Sequence, residues 1–396
     1  MLMTLSGIIF GVAFFILTQA QTSGFEQFFI RTILGTDGAL RVTDRFQKPV
    51  DYKTIKMLDE EEALQVETQR KYIEGIDYPN TLKQAVREFP EVKGVAEVLR
   101  GQAEIDSRSR TQDGQIFGVN LNEFLSVSTL GSQIIAGSLE NFEKSPQGLL
   151  IGSTLALRIN VKPGDIVTLS CKGKSQRFSI SGLFETGVGD IDKVRIIVHL
   201  NAARSLLQRP FGANYLQVSI DDPDRAPAIA ERMKAVVQHD VSPWQRREKV
   251  WLDVFRALRF SSAITVSTII LVSALGMFNT LAMLVIEKTK EIAILRSFGF
   301  SKADVTSIFL WLGGVVIVSG TTLGCLTGAL LTWGASNIPL RIRGIFSTDH
   351  FVVNWDSSHY IAAVITASVV VFIASYFPAR RAARIEPGEI IRGTSS

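Results

Sequence analysis

The sequence predicts a membrane protein: four transmembrane α-helices, with a large external α+β domain of two lobes inserted between helices 1 and 2. Three observations predict it. Of 396 residues, 46% are apolar and the mean hydropathy is positive, both high for a purely soluble chain. Four runs, 1–25, 260–286, 305–340 and 360–379, contain no Asp, Glu, Lys, Arg or His. Each reaches the roughly 20 helical residues that cross a hydrocarbon core about 30 Å thick. Between the first and second runs the pattern changes to alternating amphipathic helix and strand. Buried core helices are the competing explanation for the apolar runs, but those are shorter and amphipathic.

The first helix, residues 1–23, ends near a small residue, Ala20, as a cleaved signal peptide would. It has no basic n-region, so it reads as a retained helix. The missing basic flank also leads us to expect further cytoplasmic residues upstream.

Residues 24–258 form the external domain. TLKQAVREF (81–89) sets Leu82, Ala85, Val86 and Phe89 on one helical face, and VKGVAEVLRGQAEI then alternates like a strand. VKPGDIVTLSCKGKSQRFSISGLF reads as a hairpin, with strands at 166–170 and 177–183 joined by a Lys-Gly-Lys turn. YLQVSIDDPDRAPAIAERMKAVV adds a strand, a turn at Asp222 and Pro223, and a helix with Ala226, Ile229, Ala230, Met233 and Val237 on one side. A Gly/Pro-rich, β-rich lobe at about 128–212 is expected to be inserted into the first lobe.

The remaining spans are 259–286, 305–334 and 360–378. A cytoplasmic coupling helix at 287–304, an external loop at 335–359 and a cytoplasmic tail at 379–396 connect or follow them. Orientation comes from the basic residues of these short connections. Lys288, Lys290, Arg296 and Lys302 lie in the first, and Arg380, Arg381, Arg384 and Arg392 in the tail. The external loop has Arg341 and Arg343. That bias places the coupling helix and the tail in the cytoplasm, and long segments such as 24–258 are exempt from the rule. The net charge of +4 is therefore no argument for nucleic acid.

No catalytic, cofactor or metal site is predicted, and the chain is not expected to be an enzyme. Cys171 and Cys325 fall in different phases, so no disulfide framework is implied. GKS at 173–175 resembles the end of a phosphate loop, but the required Gly five positions earlier is Thr168 and no helix follows. His199, His239, His350 and His359 are too scattered for metal-ligand spacing. GFSKA at 299–303 lacks the last Gly of a nucleophile elbow. The acidic cluster from Asp59 to Glu62 reads as a solvated helix start.

The segment VIEKTKEIAILRSFGFSK (285–302) carries six charged residues from Glu287 to Lys302 between two uncharged runs. Strong helix formers from Glu287 to Arg296, with Ile292, Leu295 and Phe298 spaced by three, predict a short amphipathic helix outside the bilayer. Gly299 can end it in the left-handed conformation, and Ser301 with Asp304 can form a capping box for the next helix. The apolar face must be covered by the membrane surface or by a protein. Glu287 and Glu291 beside anionic headgroups favour the protein. Small-residue spacing predicts close helix packing at Gly7 and Gly11, and at Gly320, Gly324 and Gly328 on one face of the third span.

EKTKEIAILRSFGFSKADV resembles the coupling segment of the FtsX-like, MacB-like permease superfamily of ABC transporters. Glu291, Ile292, Ala293, Ile294, Leu295, Arg296 and Gly299 match position by position. The tail resembles that superfamily's ending, with Pro378, Ala379, Arg381, Ala382, Ala383 and Pro387 in register. LLIGSTLALRINVKPGDIVTL and GLFETGVGDIDKVRIIVHLNAARSLL resemble the lipoprotein-releasing (LolC/LolE) family in particular. So does the approach to the second span, with Trp251, Leu252 and Phe255 ahead of Phe278 and Asn279. Two features depart from that family: no basic amphipathic helix precedes the first span, and RIRGIFSTDHFVVNWDSSHY lacks the expected Leu-Pro.

The resemblance implies a permease in a bacterial inner membrane, with its large domain in the periplasm. It implies pairing with itself or a homologous second permease, and two separate ABC ATPase subunits that supply ATP hydrolysis. The ATPase would be met by Glu291, Ile292, Leu295, Arg296 and Gly299. The function it implies is release of lipoproteins to a periplasmic carrier, with a MacB-type tripartite efflux permease or a signalling permease acting on a periplasmic partner as alternatives. Lipoprotein release needs an apolar cavity at the outer leaflet. Phe14, Phe15 and Leu17 of the first span and Phe260, Ile264 and Val266 of the second are the residues expected to line it.

Overall fold

The computed structural model describes residues 2–45, 75–107, 110–339, 341–342, 346–347 and 350–384. The acidic cluster at 59–62, Arg343 and the tail from residue 385, with Pro387 and Arg392, lie outside them. The chain forms two units. One comprises Met1–Phe28, Trp251–Leu340 and His350–Ser396, the other Phe29–Val250 with Arg341–Asp349.

Among the described residues four helices are long and apolar enough to cross a membrane: α1 (Leu2–Asp37), α2 (Lys249–Glu287), α4 (Lys302–Ser336) and α5 (Ser357–Ala382), with the short α3 (Thr289–Ser297) between the second and third. Several outrun their uncharged stretches. At 36 residues, α1 is about 54 Å long at 1.5 Å per residue, against an expected 1–23. A charge such as Glu26 or Arg31 marks where a helix meets water, whereas a helix stops only at a breaker or a cap, and no proline interrupts 24–37. For the same reason α2 starts before residue 259, at Lys249.

Inside the helical unit, Ile8, Val12, Phe15 and Ile16 of α1 meet Val266, Ile270, Met277 and Leu281 of α2. Phe309 and Val316 of α4 and Ala363, Ala367 and Val371 of α5 complete the core. Spacings of three, four and seven keep each set on one helical face. The outward faces expose large apolar side chains such as Val272, Trp311, Leu330 and Ile365.

Among the described residues the second unit is built on a sheet of ten strands: β1 (Leu40–Arg45), β2 (Val92–Asp106), β3 (Thr111–Val119), β4 (Ile134–Gly137), β5 (Gly148–Gly152), β6 (Ile166–Cys171), β7 (Lys174–Phe184), β8 (Arg195–His199), β9 (Tyr215–Ile220) and β10 (His239–Pro243). The order is β10-β1-β9-β2-β3-β8-β5-β7-β4, and β6 pairs with both β2 and β7. Pairs β3–β8 and β5–β7 are parallel. Because β6 joins β7 back to β2, the strands β2, β3, β8, β5, β7 and β6 close into a ring.

The ring encloses Leu99, Ile105, Ile116, Ile151, Leu169, Phe178 and Val198, against which the helices Ser153–Ile159 and Leu200–Leu206 also pack. Alternate residues of the same strands, Val98, Phe117 and Ile197, face a second cluster with the helix Leu121–Val127. The β-rich segment 128–212, expected as an inserted lobe, contributes β4–β8, which pair with one another and, through β6 and β8, with β2 and β3. Its strands reach closure only through β2 and β3, which come from outside it.

Local signals behave as their chemistry dictates. The β6–β7 hairpin turns at Lys172 and Gly173, both with positive φ, as a two-residue turn that matches strand twist requires. The helix Ala226–Val237 buries Ala226, Ile229, Ala230, Met233 and Val237.

Candidate functional site

The connector between α2 and α4 is an ordered device. α3 ends at Gly299, with φ of +99°, while the Phe300 N–H donates to the Leu295 carbonyl at 3.3 Å and closes the last turn. Ser301 then caps α4: its Oγ accepts from the Asp304 N–H at 3.2 Å, and its own N–H donates to Asp304 Oδ2 at 2.8 Å. The two caps leave only residues 298–301 between α3 and α4.

α3 is also fixed laterally. Ile292, expected to face a partner, is buried within the helical unit together with Val285, Val305 and Ala382. Arg296 Nη1 donates to the Ala383 carbonyl at 2.9 Å, tying α3 to the end of α5. Glu291 is exposed and accepts from Lys288 Nζ at 2.6 Å, which holds the Lys288 ammonium above its usual pKa. Leu295 is half-buried and lines a recess of about 500 Å³ with Glu291, Ile308 and Trp311.

The face that α3 leaves open is made of Lys290, Glu291, Ile294 and Phe298, the last two 51% and 78% exposed. Sequence reasoning placed Phe298 with Ile292 and Leu295. Spacing by three drifts around a 3.6-residue helix, and spacing by four, Ile294 to Phe298, tracks the outward face.

The glycines separate two packing seams. A Cβ on Gly7 or Gly11 would stand 2.6 Å from Ser273 Oγ or 2.7 Å from Ile270 Cγ1, both on α2. A Cβ on Gly320, Gly324 or Gly328 would meet Ile8, Val12 or Ala13 and Ile16 of α1, at 3.0, 2.7 and 3.0–3.2 Å. α1 is thus gripped between α2 and α4. Sequence reasoning missed Gly313, where a Cβ would lie 2.6 Å from Ser375 Oγ of α5.

The expected cavity residues divide. Phe14, Phe260 and Ile264 are exposed, whereas Phe15 is 5% and Val266 2% exposed, both in the core of the helical unit. Adjacent helical positions differ by about 100°, so Phe14 and Phe15 cannot share a lining.

In the sheet unit an ion cluster escaped the sequence reading. Asp37, the last residue of α1, accepts from Arg195 Nη2 at 3.0 Å and Arg41 Nη2 at 3.4 Å. Arg247, two residues before α2 begins, donates from Nη2 to the carbonyls of Gly38 at 2.8 Å and Asp37 at 3.3 Å. Burial first, then the Arg41 charge, pushes the Arg247 guanidinium down to about 10. Trp244 N–H donates to the Ala39 carbonyl at 2.9 Å. The strands into which and out of which the chain passes are therefore locked to one another. No local motif marks such a joint.

Among the described residues no group of three or more His, Cys, Asp or Glu could hold a metal ion. Lys174 of the GKS tripeptide donates to the Ser205 carbonyl at 2.8 Å. His199 stacks on Phe142, and His359 shares a buried 2.8 Å hydrogen bond with Ser23.

A bundle of long apolar helices, a capped connector and a ring-forming α+β unit define a permease architecture. Residues 1–236 match the MacB-like periplasmic core domain and residues 263–387 the FtsX-like permease C-terminal family, and the chain belongs to this MacB-like, FtsX-like family of ABC transporter permeases. It is 29% identical over 331 residues to the lipoprotein-releasing system transmembrane protein LolC of Xylella fastidiosa (strain Temecula1), covering 76% of this chain and 78% of that one. Its identity to the lipoprotein-releasing system transmembrane protein LolE of Haemophilus influenzae is 25% over 347 residues, 80% of this chain and 81% of that one. The macrolide export ATP-binding/permease protein MacB of Pasteurella multocida is 24% identical over 325 residues, 76% of this chain and 46% of MacB.

Proposed function

We propose that this chain is the permease subunit of an ATP-driven transporter that releases lipoproteins from a bacterial inner membrane. The likeness to LolC and LolE over three quarters or more of both partners carries the cargo assignment. Its four spans run N-terminus in, with residues 24–258 in the periplasm and the connector and tail in the cytoplasm, as the Lys and Arg bias demands. A second permease, identical or homologous, completes the membrane part.

ATP hydrolysis comes from two separate ATPase subunits docked on the open face of α3, where Ile294 and Phe298 supply apolar anchors and Lys290 and Glu291 a charged rim. Gly299, Arg296 and the Ser301–Asp304 cap turn a push on that face into movement of α4 and α5, because a capped, laterally bonded helix transmits displacement that a loose loop would absorb. The acyl chains of the cargo leave the outer leaflet past Phe14, Phe260 and Ile264. Each buried methylene is worth about 0.8 kcal/mol, so the chains need an apolar surface throughout.

A photo-crosslinking amino acid at Phe14 and at Ile264 in the purified complex is expected to capture a triacylated lipoprotein before ATP is added and to lose it afterwards. The likeness to MacB favours a second reading, a tripartite efflux permease. Under that reading neither position captures lipoprotein and periplasmic-domain positions capture an adaptor protein instead.

A further inference from the structure

One edge of β2 is shared by two strands that do not meet. β3 covers residues 98–106 on one side. On the other, β9 pairs with Val92–Val98 and β6 with Glu104–Asp106, so between Val98 and Glu104 no strand lies opposite. Backbone groups alternate from edge to edge along a strand. The Val98 carbonyl accepts from Asn214 N–H at 3.0 Å across this edge, and the Arg100 N–H donates to Asn214 Oδ1 at 2.7 Å. By the same alternation the Arg100 carbonyl and both the N–H and C=O of Gln102 face the gap. They look into a groove of about 940 Å³ bordered by Lys172 of the β6–β7 turn.

The geometry points to β-strand addition here: an extended peptide from a partner protein fills the gap, antiparallel to β2. Direction follows from the flanks. β6 runs into the gap and β9 runs out of it, both antiparallel to β2, so an occupant continuing that line has its N-terminal end at Glu104 and its C-terminal end at Arg100. Five residues, Leu99 to Ala103, lie in the interval, and Val98 to Glu104 spans about 20 Å at roughly 3.4 Å per residue, enough for a short strand.

Charge selects the occupant. Glu104 and Asp113 stand directly opposite each other in register on the exposed face, an arrangement that is unfavourable unless a cation intervenes, and neither has an ion-pair partner among the described residues. Arg100 is exposed at the other end. The matching peptide is basic at its N-terminal side and acidic at its C-terminal side, with main-chain pairing supplying affinity and the end charges supplying direction. This surface is independent of the transport reading.

The probe is a fluorescent hexapeptide with one Lys first, one Glu last and alternating Thr and Val between, titrated by anisotropy against the full chain in nanodiscs. Its charge-swapped counterpart, Glu first and Lys last, is titrated alongside. The first peptide is expected to bind with Kd on the order of 10–100 µM and the second roughly tenfold more weakly. Gln102→Pro deletes an N–H that no strand uses, so the fold survives while the first peptide binds roughly tenfold more weakly. Glu104→Lys makes the charge-swapped peptide the better ligand, and it decides the matter if Gln102→Pro does not fold. Absence of binding at millimolar peptide, or equal affinity for the two peptides in both wild type and Glu104→Lys, overturns the proposal.

Discussion

Arg247 reaches across the base of the sheet unit to donate to the Gly38 carbonyl at 2.8 Å, so the residues that follow α1 and those that precede α2 are bonded directly to each other. Asp37 beside them is held by Arg195 and Arg41, and both ties lie where the chain enters and leaves this unit.

Arg247→Ala therefore removes the donors to three carbonyls, those of Gly38, Asp37 and Ser242, and is expected to lower stability by about 2 kcal/mol, in line with charge-assisted hydrogen bonds. Arg247→Lys restores a charge but not the planar fork, and recovers less than half of the loss. Denaturant midpoints followed by Trp fluorescence, together with hydrogen exchange at the Gly38 and Ala39 amides, check both. Unchanged exchange in Arg247→Ala would show that the joint holds without it.

At the seam between α1 and α4, Gly324→Ala places a methyl 2.7 Å from Val12 Cβ and is expected to cost about 1–3 kcal/mol, as overpacking does. Gly314, with nothing within 4 Å of its Cβ position, supplies the contrast. Gly314→Ala gains up to about 1 kcal/mol of helix propensity. Melting temperatures in detergent of the two variants should move in opposite directions.

On α3, Ile294→Asp and Phe298→Asp are expected to leave the chain folded and to abolish co-purification of the ATPase subunit, since each sets a carboxylate in the docking contact. Ile292→Asp is expected instead to lower expression and thermal stability, because it buries an unpaired charge among Val285 and Val305. Glu291→Lys breaks the Lys288 pair and reverses the rim charge, reducing ATPase stimulation more than yield. ATPase recovery at wild-type level from Phe298→Asp would mean that this face is only solvated.

Single cysteines at Ser175 and Lys290, both exposed, in a chain without Cys171 and Cys325, test orientation. An impermeant thiol reagent added to intact cells should label 175 and not 290. Labelling at 290 would reverse the topology.

The sequence by itself determined what is local in the chain. Absence of charge over about 20 residues marks a span, Gly299 and the Ser301–Asp304 pair stop and start helices within four residues of themselves, and Lys172–Gly173 turns a hairpin. These signals fixed the number of long helices and the ordered connector, and the spacing of Gly320, Gly324 and Gly328 marked a packing face. Only the tertiary structure decided which faces are covered. Ile292 and Ile294 are two residues apart and equally apolar, and the side of α3 that meets α4 and α5 is what buries the first and leaves the second open. Phe14 and Phe15 part in the same way. The closure of β6 onto β2, the gap it leaves before β9, and the meeting of Asp37 with Arg195 and Arg247 join residues some 65 to 210 positions apart. Such contacts depend on how whole elements pack, and no periodicity in the chain encodes them.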